Sequence, residues 1–90
     1  MSKEVKVFKV LANSRRLKIM EMLLEKERLG VSTISHKLGL SFKSTSRHLC
    51  LLESGGLLER EQEGLFAFYK IKKDLKVAFR KLLEGTSVFI

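Results

Sequence analysis

Hydrophobic positions along the chain follow a helical period in five stretches and a strand period in two. From Lys3 to Ala12, Val5, Phe8 and Ala12 share one helical face while Lys6 and Lys9 turn aside. Asn13 or Ser14 is placed to cap a second helix, in which Leu17, Met20, Leu23 and Leu24 recur at helical spacing as far as about Glu27. Gly30 breaks that pattern. Ser32 is expected to cap a short third helix with Ile34 and Leu38 four apart, closed by Gly39, whose backbone freedom suits a tight reversal that lets Leu40 point back into the core. Ser41 is expected to cap a fourth helix, Phe42 to Ser54, which Gly55 and Gly56 stop. The period then shortens to two. Leu57 to Glu61 and Leu65 to Ile71 read as a hairpin around Gln62-Glu63-Gly64, with Leu65, Ala67, Tyr69 and Ile71 on one face and Phe66 and Phe68 on the other. Asp74 is expected to cap a last helix with Leu75, Ala78, Phe79 and Leu82 along one stripe.

The predicted order is α-α-α-α-β-β-α, mainly α with a β-hairpin. A short helix, a glycine turn, a second helix and a hairpin together make a winged helix-turn-helix, whose second helix enters the DNA major groove. At about 100° per residue, Phe42, Thr45, Leu49 and Leu52 form the inward face of the fourth helix, Phe42 read as a core or staple residue ahead of a reader of thymine methyls. Lys43, Arg47, Cys50 and Ser54 form the outward stripe, flanked by Ser44. Small hydroxyl residues let the backbone approach DNA while one long arginine reads a guanine edge. The free N–H groups at the helix start suit a phosphate. The candidate DNA-contacting residues are Ser41, Lys43, Ser44, Thr45, Arg47 and His48, with Arg60 from the hairpin. His48 lies between the two faces, either touching phosphate or satisfying a boundary hydrogen bond. Leu51 falls off the core arc.

Charge adds to this picture through its distribution. The formal net charge of +8 is concentrated at the ends: residues 1–20 and 70–81 each carry six basic and one acidic residue. The reading segment 31–52 holds Lys37, Lys43 and Arg47 with no acid. An anionic partner is expected. Ninety residues fit one domain, 1–90, with the helix-turn-helix at about 32–54, the wing at about 57–71 and terminal helices at about 3–12 and 74–84. So short a chain builds a modest core, which dimerisation would supplement. A single cysteine, Cys50, rules out an internal disulfide and suits the cytoplasm. No apolar run approaches a membrane span, and charged residues within the first eleven positions argue against a signal peptide.

Three segments in this order, VLANSRRLKIMEMLL, LGLSFKSTSRHLCLLESGGLL and EGLFAFYKI, make the chain resemble the ArsR-type (arsenic-repressor-like) winged-helix regulators. The resemblance runs from Phe8 to Leu83. It implies a homodimer built from the first and last helices, with Val5, Phe8, Leu75, Phe79 and Leu82 at the interface. It implies a recognition helix, Ser41 to Ser54, on a pseudo-palindromic operator, and repression that a ligand relieves. The sequence names no such effector. Two departures stand out. Where many members carry a cysteine-rich metal segment, this chain reads RLGVSTI, and its last helix lacks the acidic and histidine ligands of the family's other metal site. His36, His48 and Cys50 form no familiar ligand spacing, so neither metal nor cofactor is expected. The hairpin tip carries Glu61 and Glu63 where relatives carry basic residues, so the wing is expected to add little to DNA affinity.

Cys50 is either an inert boundary residue or a thiol whose oxidation would block DNA binding. No nucleophile with a supporting base and no nucleotide-binding glycine loop is present, which argues against an enzyme. The main competing reading is a winged-helix protein-interaction module using Phe66, Phe68 and Val88-Phe89-Ile90. A winged-helix regulator of the multidrug-resistance type fits the short terminal helices and the motif order less well. Salt separates the first two readings, because DNA binding weakens steeply with salt and an apolar interface does not.

Overall fold

In the computed structural model, residues 2–88 are described, with side chains through Lys81 and at Glu84. Five helices and three short strands follow in the order α1 (Lys3–Leu11), α2 (Ser14–Glu25), β1 (Leu29–Gly30), α3 (Val31–Leu38), α4 (Phe42–Ser54), β2 (Leu58–Glu63), β3 (Phe66–Ile71) and α5 (Lys73–Val88). Leu82, expected at a dimer interface, and Val88-Phe89-Ile90 lie outside the described side chains.

Local chemistry starts and stops these helices. Asn13 Oδ1 accepts from the N–H groups of Arg15 and Arg16 at 3.0 and 3.1 Å, so Asn13 rather than Ser14 caps α2. At the other end of α2, Arg80 of α5 donates to the Leu24 carbonyl at 2.8 Å and satisfies one of its orphan acceptors. Ser32 does not cap α3. That helix begins at Val31 after Gly30, which has no side-chain cap bond. The reason is the strand the sequence reading missed: Leu29 and Gly30 pair antiparallel with Tyr69 and Phe68, and the chain leaves β1 directly into the helix. Two residues are too short for any hydrophobic period to announce a strand. The expected hairpin is therefore the outer part of a three-stranded sheet of order β1-β3-β2. Asp74 likewise lies inside the first turn of α5, which starts at Lys73.

The helix-turn-helix corner is built as expected. Gly39 has φ of 66°, and the Leu40 N–H donates to the Ser35 carbonyl at 3.2 Å. The Ser35 hydroxyl donates to the Leu40 carbonyl at 2.8 Å and closes the turn a second time. Leu40 itself is half-buried.

Ile19, Met20, Leu23, Ile34, Leu49, Leu52 and Leu58 form the centre of the core, joined by Val31, Leu57, Tyr69, Ile71 and Phe79. Two corrections concern this core. Leu17, placed on the inward stripe of α2 by its spacing, is exposed, and Ile19 is buried instead. Phe79, placed at a dimer interface, is only 7% exposed and belongs to the core of the single chain. No residue of α1 is fully buried. Its inward side is Val7, Val10 and Leu11, which pack against the core, while Val5 and Phe8 stay exposed.

Candidate nucleic-acid interface

Ser41 Oγ accepts from the Ser44 N–H at 3.0 Å and sets the start of α4. Its lone pair is thus occupied as a cap, which leaves the hydroxyl hydrogen for an outside acceptor. From that start, Lys43, Ser44, Arg47, Cys50 and Ser54 are all exposed along the outer side of the helix. Thr45, Leu49 and Leu52 form its buried side. Thr45 was expected among the DNA-contacting residues, and the structure corrects this: its side chain is wholly buried, so no DNA atom can reach it. Its Oγ1 has no hydrogen-bond partner among the described residues.

Phe42 is the reverse case. Expected as a core or staple residue, it is 58% exposed at the first position of α4. There it lines a groove of about 480 Å³ together with Ser32, Thr33, Arg60, Leu65 and Phe66. This groove runs between the start of the recognition helix and the hairpin. Arg60 lies beside it, hydrogen-bonded to Gln62, whose amide donates to the Gly64 carbonyl at 2.9 Å. Leu65 lies in the turn, not in β3 as its alternation suggested, and is 97% exposed.

His48 is half-buried and faces α2. Its Nδ1 lies 3.3 Å from a terminal nitrogen of Arg16. Desolvation first, then the charges of Arg16, Arg15 and Arg47, push its pKa below the ordinary 6.5. An arginine only donates, so Nδ1 accepts and the imidazole is neutral with its proton on Nε2. Of the two readings left open for His48, the structure shows the boundary hydrogen bond.

The wing differs from its sequence reading in its electrostatics. Glu61 and Glu63 do not stand as bare carboxylates. Arg28, just before β1, donates to Glu61 at 3.2 Å and to Glu63 at 2.8 Å, and its guanidinium lies 4.1 Å over the Phe68 ring. Lys70 reaches Glu61 at 3.1 Å and Glu59 at 4.0 Å. Lys70 foremost, then Arg28, holds the Glu61 carboxyl below the usual carboxylate range, and Arg28 does the same for Glu63. Cross-strand register explains the cluster: Glu59 pairs with Lys70 and Glu61 with Phe68. Three carboxylates on one side of β2 are thereby met by two cations. Neither Arg28 nor Arg16 had been singled out as functional. The signal for Arg28 was weak, since its partners lie over thirty residues away.

Val7, Phe8, Leu11, Met20, Leu57, Leu75, Ala78 and Phe79 line an apolar cleft of about 200 Å³ between α1 and α5. Among the described residues no three His, Cys, Asp or Glu side chains gather as a metal site requires, and no helix is long and apolar enough to cross a membrane.

A buried-backed helix with a basic, hydroxyl-rich outer stripe, behind a glycine turn and beside a wing, defines a winged helix-turn-helix of the DNA-binding class. Residues 13–60 match the bacterial regulatory protein arsR family. The chain is 38% identical over 83 residues to the transcriptional activator HlyU of Vibrio cholerae, covering 92% of this chain and 76% of that protein. It is 41% identical over 66 residues to the transcriptional regulator Rv0324 of Mycobacterium tuberculosis, covering 73% of this chain but only 29% of the relative. Among solved structures it is similar to the homodimeric winged helix-turn-helix DNA-binding domain of Mb0332 from Mycobacterium bovis, a fragment of residues 1–100. The TM-score is 0.88 at 31% identity, covering 94% of this chain and 79% of that one. The transcriptional repressor PagR of Bacillus anthracis superposes with a TM-score of 0.76 at 31% identity, covering 90% and 92%. The chain belongs to the ArsR family of bacterial transcriptional regulators, a DNA-binding and not an enzymatic family.

Proposed function

We propose that this protein is a cytoplasmic, homodimeric repressor that binds an inverted-repeat operator, and that metal does not control it through the family's usual sites. The observation that carries the reading is the outer stripe of α4. Lys43, Ser44 and Arg47 are exposed together on a helix whose other side is buried in the core, so the stripe is rigidly presented. Ser41 and the helix N-terminus add donors for a phosphate. In this reading Arg47 reads a guanine edge, Lys43 and Ser44 hold the backbone, and Arg60 meets the flanking phosphate from the wing.

Dimerisation is supported by the apolar cleft between α1 and α5, with exposed Val5 and Phe8 beside it, and by the homodimeric state named for the Mb0332 domain. Two α4 helices would then meet successive major grooves about 34 Å apart. Relatives bear both names, activator for HlyU and repressor for PagR. Repression needs no more than occupation of the operator, which the reading helix supplies by itself.

Selection from a random duplex pool at two salt concentrations tests this reading. An enriched inverted repeat, bound less tightly as salt rises, is the expected result. Absence of enrichment with weak binding that vanishes at moderate salt would overturn it in favour of a protein-interaction module.

A further inference from the structure

α1 is held on the domain in an unusual way. With no fully buried residue, it packs through the half-buried Val7, Val10 and Leu11, and directional contacts at its end add to the setting of its angle. Arg16 supplies them. Its Nε–H donates to the Val10 carbonyl, one of the acceptors left free at the end of α1, and its terminal nitrogen donates to His48 Nδ1 at 3.3 Å. The guanidinium is partly buried and planar, so the two bonds fix each other's geometry. The same joint is tight on its other side. A Cβ placed on Gly55, just past α4, would come within 3.2 Å of Val10 Cγ2 and 3.3 Å of the Leu51 carbonyl.

We propose that Arg16 is a positioning residue that locks the dimerisation helix α1 to the recognition helix α4, and so sets the half-site spacing the dimer accepts. This rests on the homodimer reading above. In a symmetric dimer the separation of the two α4 helices depends on the angle between α4 and the element that carries the interface. A change of a few degrees at that joint moves each reading helix along the groove.

The lock also responds to protons. The charged groups acting on His48 are Arg16 and Arg15 from α2 and Arg47 from its own helix, all positive, and no carboxylate counters them among the described residues. Protonation would turn Nδ1 from acceptor to donor and set it against Arg16. The folded pKa lies below the ordinary 6.5, so folding favours the neutral ring. That contribution is complete above about pH 6.5 and is lost as pH falls through the folded value.

The test uses the full chain and duplexes of the selected inverted repeat, with half-site spacing changed one base pair at a time. Wild type, Arg16→Met, His48→Leu and His48→Asn are compared at pH 7.5 and in steps of falling pH as far as the fold persists, with circular dichroism and sedimentation as controls for fold and dimer. Wild type should prefer one spacing by roughly tenfold, in the range of ordinary coupling between sites. Arg16→Met should flatten that ratio to below about threefold while remaining folded and dimeric. If Arg16→Met fails to fold, His48→Leu cuts the same bond from the other side. Asparagine places an untitratable oxygen near the Nδ1 position, so His48→Asn should keep the spacing preference and lack the decline that wild type shows as pH falls through the folded His48 value. Undiminished spacing preference in Arg16→Met, or in His48→Leu where that variant must stand in, overturns the proposal. If wild type itself selects no inverted repeat, the reading beneath the proposal fails, and the two failures are distinguishable.

Discussion

Thr45 and Phe42 stand three residues apart on α4, and each lies where its side chain is least at home. Thr45 keeps an unpartnered hydroxyl in the core, and Phe42 keeps a ring in solvent. A buried hydroxyl without a partner costs roughly 1–3 kcal/mol. Thr45→Val should therefore leave stability unchanged or raise it by up to about 1 kcal/mol, with DNA affinity unaltered, as urea unfolding and a binding titration would show. A marked loss of affinity would return Thr45 to the DNA surface. Arg47 and Lys43 differ in what they present to DNA. A bidentate pair discriminates a base by ~1–3 kcal/mol, so Arg47→Ala should relax preference at one position of each half-site. Lys43→Ala should weaken binding to all sequences and flatten the salt slope by roughly one counterion. Competition titrations on single-base variants of the operator separate the two. The helical period correctly assigned the two sides of α4, with Leu49 and Leu52 inward and Lys43 and Arg47 outward. It misjudged Phe42 because the first turn of a helix has no preceding turn to pack against, and its surroundings come from the hairpin.

At the scale of elements, the turn and the wing were read with unequal success. The Gly39 turn was visible because a left-handed residue leaves a compositional mark, and glycine carries it here at φ of 66°. A Cβ at that position would meet no atom within 4 Å, so the strain of Gly39→Ala is confined to the backbone. The expected loss is about 1–2 kcal/mol, read from the midpoint of chemical denaturation. The wing was legible as a hairpin but not as a charge cluster. Its acids were expected to repel DNA, and the ion pairs they make with Arg28 and Lys70 left no trace in the sequence pattern. Exposed, salt-screened ion pairs of this kind contribute little to stability. Arg28→Ala should leave the melting temperature within a few degrees while weakening DNA binding, because Glu61 and Glu63 then confront the phosphates with only Lys70 opposing them. Equal affinity of Arg28→Ala and wild type at low salt would show that the wing stands clear of DNA.

At the scale of the whole molecule, the chain presents both a basic outer stripe on α4 and an apolar cleft between α1 and α5. Phe8 is 67% exposed beside that cleft, an arrangement a single chain has no reason to keep. Phe8→Glu should leave the domain folded, convert the dimer to monomer in sedimentation, and reduce affinity for the inverted repeat far more than for an isolated half-site. Phe79 both lines that cleft and is buried within the single chain, so Phe79→Ala should cost about 3–5 kcal/mol of stability in chemical denaturation besides any effect on dimerisation.

The local pattern by itself determined the five helices, the glycine corner, the hairpin and the outward stripe of α4. Each of these depends on neighbours within a few residues, where a period of 3.6 or 2 is written directly in the order of side chains. Tertiary structure alone decided the third strand, the partners of the wing carboxylates, the burial of Phe79 and the bond between Arg16 and His48. Arg16 and His48 are 32 residues apart, and Arg28 reaches partners 33 and 35 residues away. Such pairs leave no periodic trace in the sequence, because what joins them is the packing of whole elements.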